Sequence, residues 1–274
     1  MILTLGLTLS FKSSDNLAAA FGIAVSLTML LTSILMFVAM REIWGWPLPL
    51  SLVIAGVFIV VDASFVSANM MKVFDGGWFP LVVAAIIFYL MFTWRQGRHE
   101  LMLRLERDTM PLKGFITDVQ TKTRVPGTAI YMTGRLDVVP VPLLHNLKHN
   151  KVLHQRIVLL NVITANVPRI AADRRIEVNE LGGNFYSVAV QYGFMEQPNI
   201  PRALAQCRSH DLEFSMMDTS FFVGRLSIVA SKQSHLTALQ HRVFEAMHRN
   251  ALPATEFFRI PPNRVIELGG QVAI

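Results

Sequence analysis

Two groups of residues in this sequence could do chemistry. The first is a single carboxylate, Asp62, in the stretch LPLSLVIAGVFIVVDASFVSANMM (48–71), where every other residue is uncharged. A carboxylate midway along such an apolar run costs roughly 2.5–3.5 kcal/mol on membrane-insertion scales, so it normally faces protein or water and often belongs to an ion or proton route. Burial favours the protonated acid and a nearby cation favours the carboxylate, a coupling that can exchange a proton for a cation. The plainer reading is a hydrogen bond to a serine such as Ser64 or Ser67, or to a neighbouring helix.

The second group lies in LLHNLKHNKVLHQR (143–156), a leucine frame holding histidines, lysines and an arginine. On a helix beginning near Val141, Leu143 and Leu147 share one side, and His145, Lys148 and His149 gather on the other, with Lys151 just beyond. His145 and His149, at i and i+4, could reach one zinc ion. Zinc needs further ligands, and no acid or cysteine occurs between Asp137 and Asp173, so no metal is expected. Imidazole and ammonium groups suit a small anion, which makes His145, Lys148, His149 and Lys151 a candidate regulatory anion-binding face.

The elements that position these residues fall into two parts. Of 274 residues, 52% are hydrophobic and only 16% charged, and the mean hydropathy is +0.42. Long uncharged runs fill the first third, whereas the remainder reads as an ordinary mixed domain. Residues 17–40 hold no charge and are long enough to cross a hydrocarbon core of roughly 30 Å. Residues 48–71 form a second span, and 78–94 a shorter third with Trp78 and Trp94 at its ends as interfacial anchors. The apolar 1–11 segment reads as a partial span, the end of a helix that begins earlier. The expected division is a membrane domain over 1–94 and a cytosolic α/β domain over 95–274.

The basic run RQGRHELMLRLER directly after Trp94 favours the cytoplasmic side, which puts the tail inside and the turn at Asp75 outside. Residues 1–94 carry three basic residues and four acidic ones, leaving 22 basic against 15 acidic for the rest, a surplus of seven. Such a tail suits an anionic leaflet or a small anion. Nucleic acid is not expected, since no recognition motif or aromatic stacking pattern accompanies the charge. Cys207, the single cysteine, excludes an internal disulfide framework and reads as an apolar filler.

In the tail, GTAIYMT (127–133) reads as a strand, PVPLLHNLKHN (140–150) as a helix opened by prolines, and RIVLLNVIT (156–164) as a buried strand, a βαβ order. RRIEVNEL and NFYSVAVQYG form a hairpin across Gly182–Gly183. A helix follows Pro198, FFVGRLSIVA is another strand, and LTALQHRVFEAMHRN another helix. No Walker pattern, nucleophile elbow or HExxH motif is present, so an enzyme is not expected.

The stretch GTAIYMTGRLDVVPVPLLHNLKHNKVLHQRIVLL (127–160) resembles the cytosolic signature of the Kup/HAK/KT family of potassium uptake permeases. So do SSDNLAAAFGIAVSLTMLLTSIL (13–35), DGGWFPL (75–81), DTSFFVGR (218–225) and IPPNRVIELGGQVAI (260–274). The resemblance implies potassium uptake across the inner, cytoplasmic membrane by proton symport, with potassium and protons as transported ions and no cofactor. It also implies a LeuT-like, APC-type membrane fold of about twelve spans, of which this chain supplies the last three and a remnant. The broken helices that form the ion site in such folds have no counterpart here, while an acid at the position of Asp62 is common in the family. Candidate partners are the lipid bilayer, the N-terminal transporter helices, a second copy of the chain as a homodimer, and a small anionic regulator. The alternative function is a membrane-anchored regulatory module that binds a small anion or nucleotide and acts on another permease.

Overall fold

The computed structural model describes residues 6, 11, 13–107, 109–210, 212–229, 231 and 235–274. The chain divides into two compact units, residues 1–92 and 93–274. The expected partial span over 1–11 lies almost wholly outside the described residues.

The first unit is helical. Helix α1 (Ser14–Glu42) begins where the Ser13 side chain accepts a hydrogen bond from the Asn16 N–H, an N-cap that satisfies an otherwise orphan donor. Helix α2 (Leu48–Met70) follows a short connection in which Gly45 takes a φ of 65° and Arg41 donates to the Trp46 carbonyl at 2.6 Å. A π-helical turn, Val73–Gly77, leads into helix α3 (Trp78–Arg107). Gly76 in that turn has a φ of 140°, and a Cβ there would lie 2.5 Å from the Asn16 carbonyl oxygen, so only glycine permits this close return to the start of α1. Three helical stretches, Ser14–Glu42, Leu48–Met70 and Val73–Glu106, are long and apolar enough to cross a membrane.

The third helix does not stop at Trp94, where the apolar span was expected to end. Its continuation is rich in arginine, glutamate, leucine and methionine, all strong helix formers, and Glu100 pairs with Arg104 one turn on at 3.6 Å. Charge marks the end of the apolar stretch, and the backbone carries on through it.

The second unit is an α/β domain built on one six-stranded sheet. Its strands are β1 (Arg124–Met132), β2 (Leu153–Ala165), β3 (Ile176–Gly182), β4 (Phe185–Gly193), β5 (Thr219–Val229) and β6 (Val265–Ala273), ordered β3-β4-β2-β1-β5-β6. All neighbours are parallel except β3, which runs antiparallel to β4 at one edge. Helix α4 (Leu112–Asp118) precedes the sheet, and α5 (Val141–Asn150) makes the crossover from β1 to β2 as expected. The β3–β4 hairpin turns where it was expected, with Gly182, Gly183 and Asn184 all at positive φ. Helices α6 (Ile200–Gln206), α7 (Ala238–Arg249) and α8 (Ala254–Phe257) complete the unit.

Both faces of the sheet are buried at its central strands, which is why β2 reads as a nearly continuous apolar run. Ile130, Val158, Leu160, Val190 and Phe221 point to one core with Ile200 and Leu204 of α6. Ala129, Tyr131, Ile157, Leu159 and Phe222 point to the other with Phe115 of α4 and Leu143 of α5. Three elements, α4, α8 and β6, are not among those expected from the sequence: LKGFITD is short and mixes glycine with β-branched residues, ATEF is a single turn, and VIELGGQVA breaks its alternation with two glycines. Trp94 packs on Phe244 of α7 with ring centroids 5.5 Å apart.

Candidate functional site

Buried or half-buried residues of α1 at Ala19, Ile23, Ser26, Leu30, Ser33, Phe37 and Met40 follow alternating steps of four and three that trace one face of a helix. On α2 the corresponding stripe is Ser51, Ala55, Ile59, Asp62, Val66 and Asn69. The two stripes meet antiparallel: Ser33 reaches Asp62, and Gly22, earlier in α1, makes room for Asn69, later in α2. Small residues on both stripes let the backbones approach, as helix pairing in lipid requires.

Asp62 is 4% exposed, and its Oδ2 accepts a hydrogen bond from the Ser33 hydroxyl of α1. The serines nearer in sequence do not serve it. Ser64 donates to the Val60 carbonyl at 2.8 Å and Ser67 to Ala63 at 2.7 Å, each turned back onto its own helix. Thr28 and Thr32 of α1 do the same, both at 2.8 Å. The partner is therefore on the neighbouring helix, a residue the sequence reading did not single out. Its signal was available, because Ser33 lies on the same small-residue stripe as Ala19 and Ser26.

The Ser33–Asp62 pair offers one hydroxyl and one carboxylate, both hard oxygen ligands. A dehydrated potassium ion needs a fuller oxygen shell in place of its water, so this pair can supply part of a site or a proton-accepting step beside one. Among the described residues no group of three or more His, Cys, Asp or Glu side chains is placed to hold a metal ion.

The residues of the expected anion-binding face lie at the C-terminal end of α5. His145 is half-buried with its ring 6.0 Å from that of His149; Lys148 and His149 are exposed in the last turn, and Lys151 caps the helix at a φ of 61° with its N–H on the Leu147 carbonyl. A helix C-terminus carries partial negative charge, which these cations complement. Leu143 packs into the core as expected. Asn146, read only as part of the frame, is buried: its amide donates to the Tyr131 hydroxyl and to the Val152 carbonyl, both at 3.2 Å, and accepts from Asn150 at 2.8 Å. Burial pushes the Tyr131 phenol well above its usual range. Cys207 is buried beside α6, and burial pushes its thiol up to about 11, the behaviour of a filler.

Three helices apolar and long enough to cross a membrane, two of them meeting around a carboxylate, followed by a mostly parallel α/β domain, define a membrane protein with an appended α/β domain. Residues 1–99 match the K+ potassium transporter integral membrane domain, and residues 126–274 match the K+ potassium transporter C-terminal domain. The chain belongs to this potassium transporter family. It is 71% identical over its whole length to a protein of Bradyrhizobium sp. strain BTAi1 described as "Probable potassium transport system protein Kup 1", of which it covers 45%. It is 51% identical over 98% of its length to a protein of the same description from Paramagnetospirillum magneticum, covering 42%. A Chromobacterium violaceum "Probable potassium transport system protein Kup 2" is 46% identical over the whole chain and covered to 44%. The chain thus spans less than half the length of the curated relatives it matches.

Proposed function

We propose that this chain is the C-terminal part of a potassium uptake permease of the inner membrane, working by proton symport with potassium and protons as its transported ions. In this reading the three spans are the last of a LeuT-like, APC-type bundle and the tail faces the cytoplasm. The supporting observation is that the membrane-domain and C-terminal-domain matches lie in order along the chain. The partners are the lipid bilayer, the helices that correspond to the rest of its relatives, and a second copy in a homodimer. Asp62 is the proton or potassium coupling residue, and Ser33 holds its carboxylate toward the α1 stripe.

The test is potassium uptake in cells lacking their own uptake systems, given this chain alone or joined to the helices of a full-length relative. Rescue by the joined form and failure by the chain alone is the expected result. Asp62→Asn in the joined form should abolish uptake or flatten its pH dependence; uptake with unchanged pH dependence would remove Asp62 from the mechanism. Rescue by the chain alone would place the whole ion site within these three spans.

A further inference from the structure

A polar cavity of about 500 Å³ opens at the N-terminal ends of three adjacent parallel strands, β2, β1 and β5. It is lined by Gly127, His154, Gln155, Ser220 and Arg264, with Asp218 as the acid among its walls. A register shift in β1 between Val125 and Thr128 shapes one side, and Gly127 sits in it at a φ of 98°, where a Cβ would lie 2.9 Å from the Asp218 carbonyl oxygen. The strand start can bend this closely past the Asp218 backbone only with glycine.

Arginines are frequent around this end of the sheet, and Asp218 is the acid facing the cavity. Arg264 donates to the Met217 thioether at 3.3 Å, a weak acceptor, and among the described residues it makes no ion pair. Arg124 at the start of β1 is held by the His154 and Gly183 carbonyls at 3.1 and 3.0 Å, and Arg156 in β2 by the Glu213 carbonyl at 2.7 Å. Neither has a carboxylate partner among the described residues. Of these arginines Arg264 is the one that lines the cavity, where its partner is the Met217 thioether.

His154 adds a directed donor. Its ring meets Phe222 edge-on, with centroids 5.6 Å apart, and its Nδ1 is buried without a hydrogen-bonding partner. A buried N–H with no acceptor is rarer than an unfilled lone pair, so the proton belongs on Nε2. His154 lines the cavity, and its Cδ2 lies 4.0 Å from where a Cβ on Gly127 would sit.

We infer that this cavity binds a small metabolite through an oxyanion, a phosphate or a carboxylate, gripped by the planar fork of Arg264 together with Ser220 and His154. Asp218 selects for a ligand that also carries a hydroxyl or amine donor, because a bare anion would meet its carboxylate unpaired. The site is distinct from the α5 face of His145, Lys148, His149 and Lys151, none of which lines it. It is assembled from the chain at 126–127, 154–155, 217–220 and 264, so no short motif marks it.

Calorimetric titration of the full chain in detergent micelles at low ionic strength tests this, with inorganic phosphate, glycerol 3-phosphate and glycerate as probes. Saturable binding is expected, with glycerol 3-phosphate or glycerate exceeding phosphate; whichever of the two binds more tightly identifies the phosphate or the carboxylate source. Arg264→Gln should weaken it about 10- to 100-fold. Should Arg264→Gln melt as unfolded, Arg264→Lys, which keeps the charge and loses the fork, should weaken it several-fold. Asp218→Asn should raise the affinity for inorganic phosphate. Arg174→Gln, an exposed arginine elsewhere, should change nothing. Absence of saturable binding by all three probes, or equal weakening by Arg264→Gln and Arg174→Gln, would overturn the assignment.

Discussion

The membrane unit and the tail hold themselves together by different means. Between α1 and α2 the meeting stripes are small residues and serines, and Ser33 with Asp62 makes a hydrogen bond across them. In the tail, aromatic and aliphatic side chains fill two cores, and buried polar groups are tied into networks. In lipid the apolar effect gives no preference for helix over acyl chain, whereas in water it is the main driving force. Substitutions should therefore shift tail stability strongly, and in the membrane unit should act on function with little change in stability.

The largest effect is expected where α7 meets α3 in the tail. Phe244 is 0% exposed, and a Cβ on Gly97 would lie 2.3 Å from its ring, so the ring occupies a hollow that only glycine leaves. Gln240 of α7 donates to Gln96 at 3.0 Å beside it, and Thr237 with Gln240 closes a capping box at the start of α7. Phe244→Ala should cost about 3–5 kcal/mol, read as a lowered thermal midpoint for the tail of the full chain in detergent. A shift no larger than that of an exposed substitution would mean that α7 is not seated on α3 in solution. Next in size is Asn146→Ala, which leaves the buried Tyr131 hydroxyl without its amide partner and should cost about 1–3 kcal/mol by the same measurement.

These two residues also mark how far the sequence could be read. The three apolar helices, the βαβ order and the glycine hairpin were legible because length, period and turn chemistry are local properties. Asn146 was passed over because i, i+4 spacing sorted it between two faces, and only the crossover geometry of α5 turns it toward Tyr131. Gly97 lay in the basic run taken as the start of the tail, and its role depends on Phe244, more than a hundred residues later. Asp62 was legible by its isolation in an apolar span, and Ser33 was not, since choosing it among many serines and threonines requires the helix pairing itself.

A smaller effect comes with acid. His154 is pulled below its ordinary value of 6.5 by burial. Above pH 6.5 the ring is neutral whether the tail is folded or not, so it contributes no pH dependence there. As pH falls below 6.5 the unfolded chain takes up a proton that the folded one refuses, and stability declines until the folded value is passed. Glu196 adds to this at lower pH. Its carboxylate is held below the usual range by the Gly193 N–H first, then by the Ile170 N–H and Arg175, so its contribution is present above its ordinary 4.5 and is lost as pH falls through the folded value. The thermal midpoint should fall from pH 7 to pH 5, and His154→Gln should flatten the part just below 6.5. An unchanged slope in that variant would mean that the ring is not buried in the folded tail.

The smallest change in stability and the sharpest test of the comparison is Ser33→Ala. Hydrogen bonds between helices in lipid average about 0.6 kcal/mol, so the membrane unit of the variant should unfold within about 1 kcal/mol of the parent. The same substitution removes the hydroxyl donor to a carboxylate that is 4% exposed. In a joined, transport-competent form, its effect should therefore be on uptake and on how uptake varies with pH. A large loss of stability with normal uptake would place the pair among structural contacts like those of the tail. A shifted pH profile with unchanged stability would separate the two regions by what their buried polar groups are for: Asn146 holds the tail together, and Ser33 positions the Asp62 carboxylate for transport.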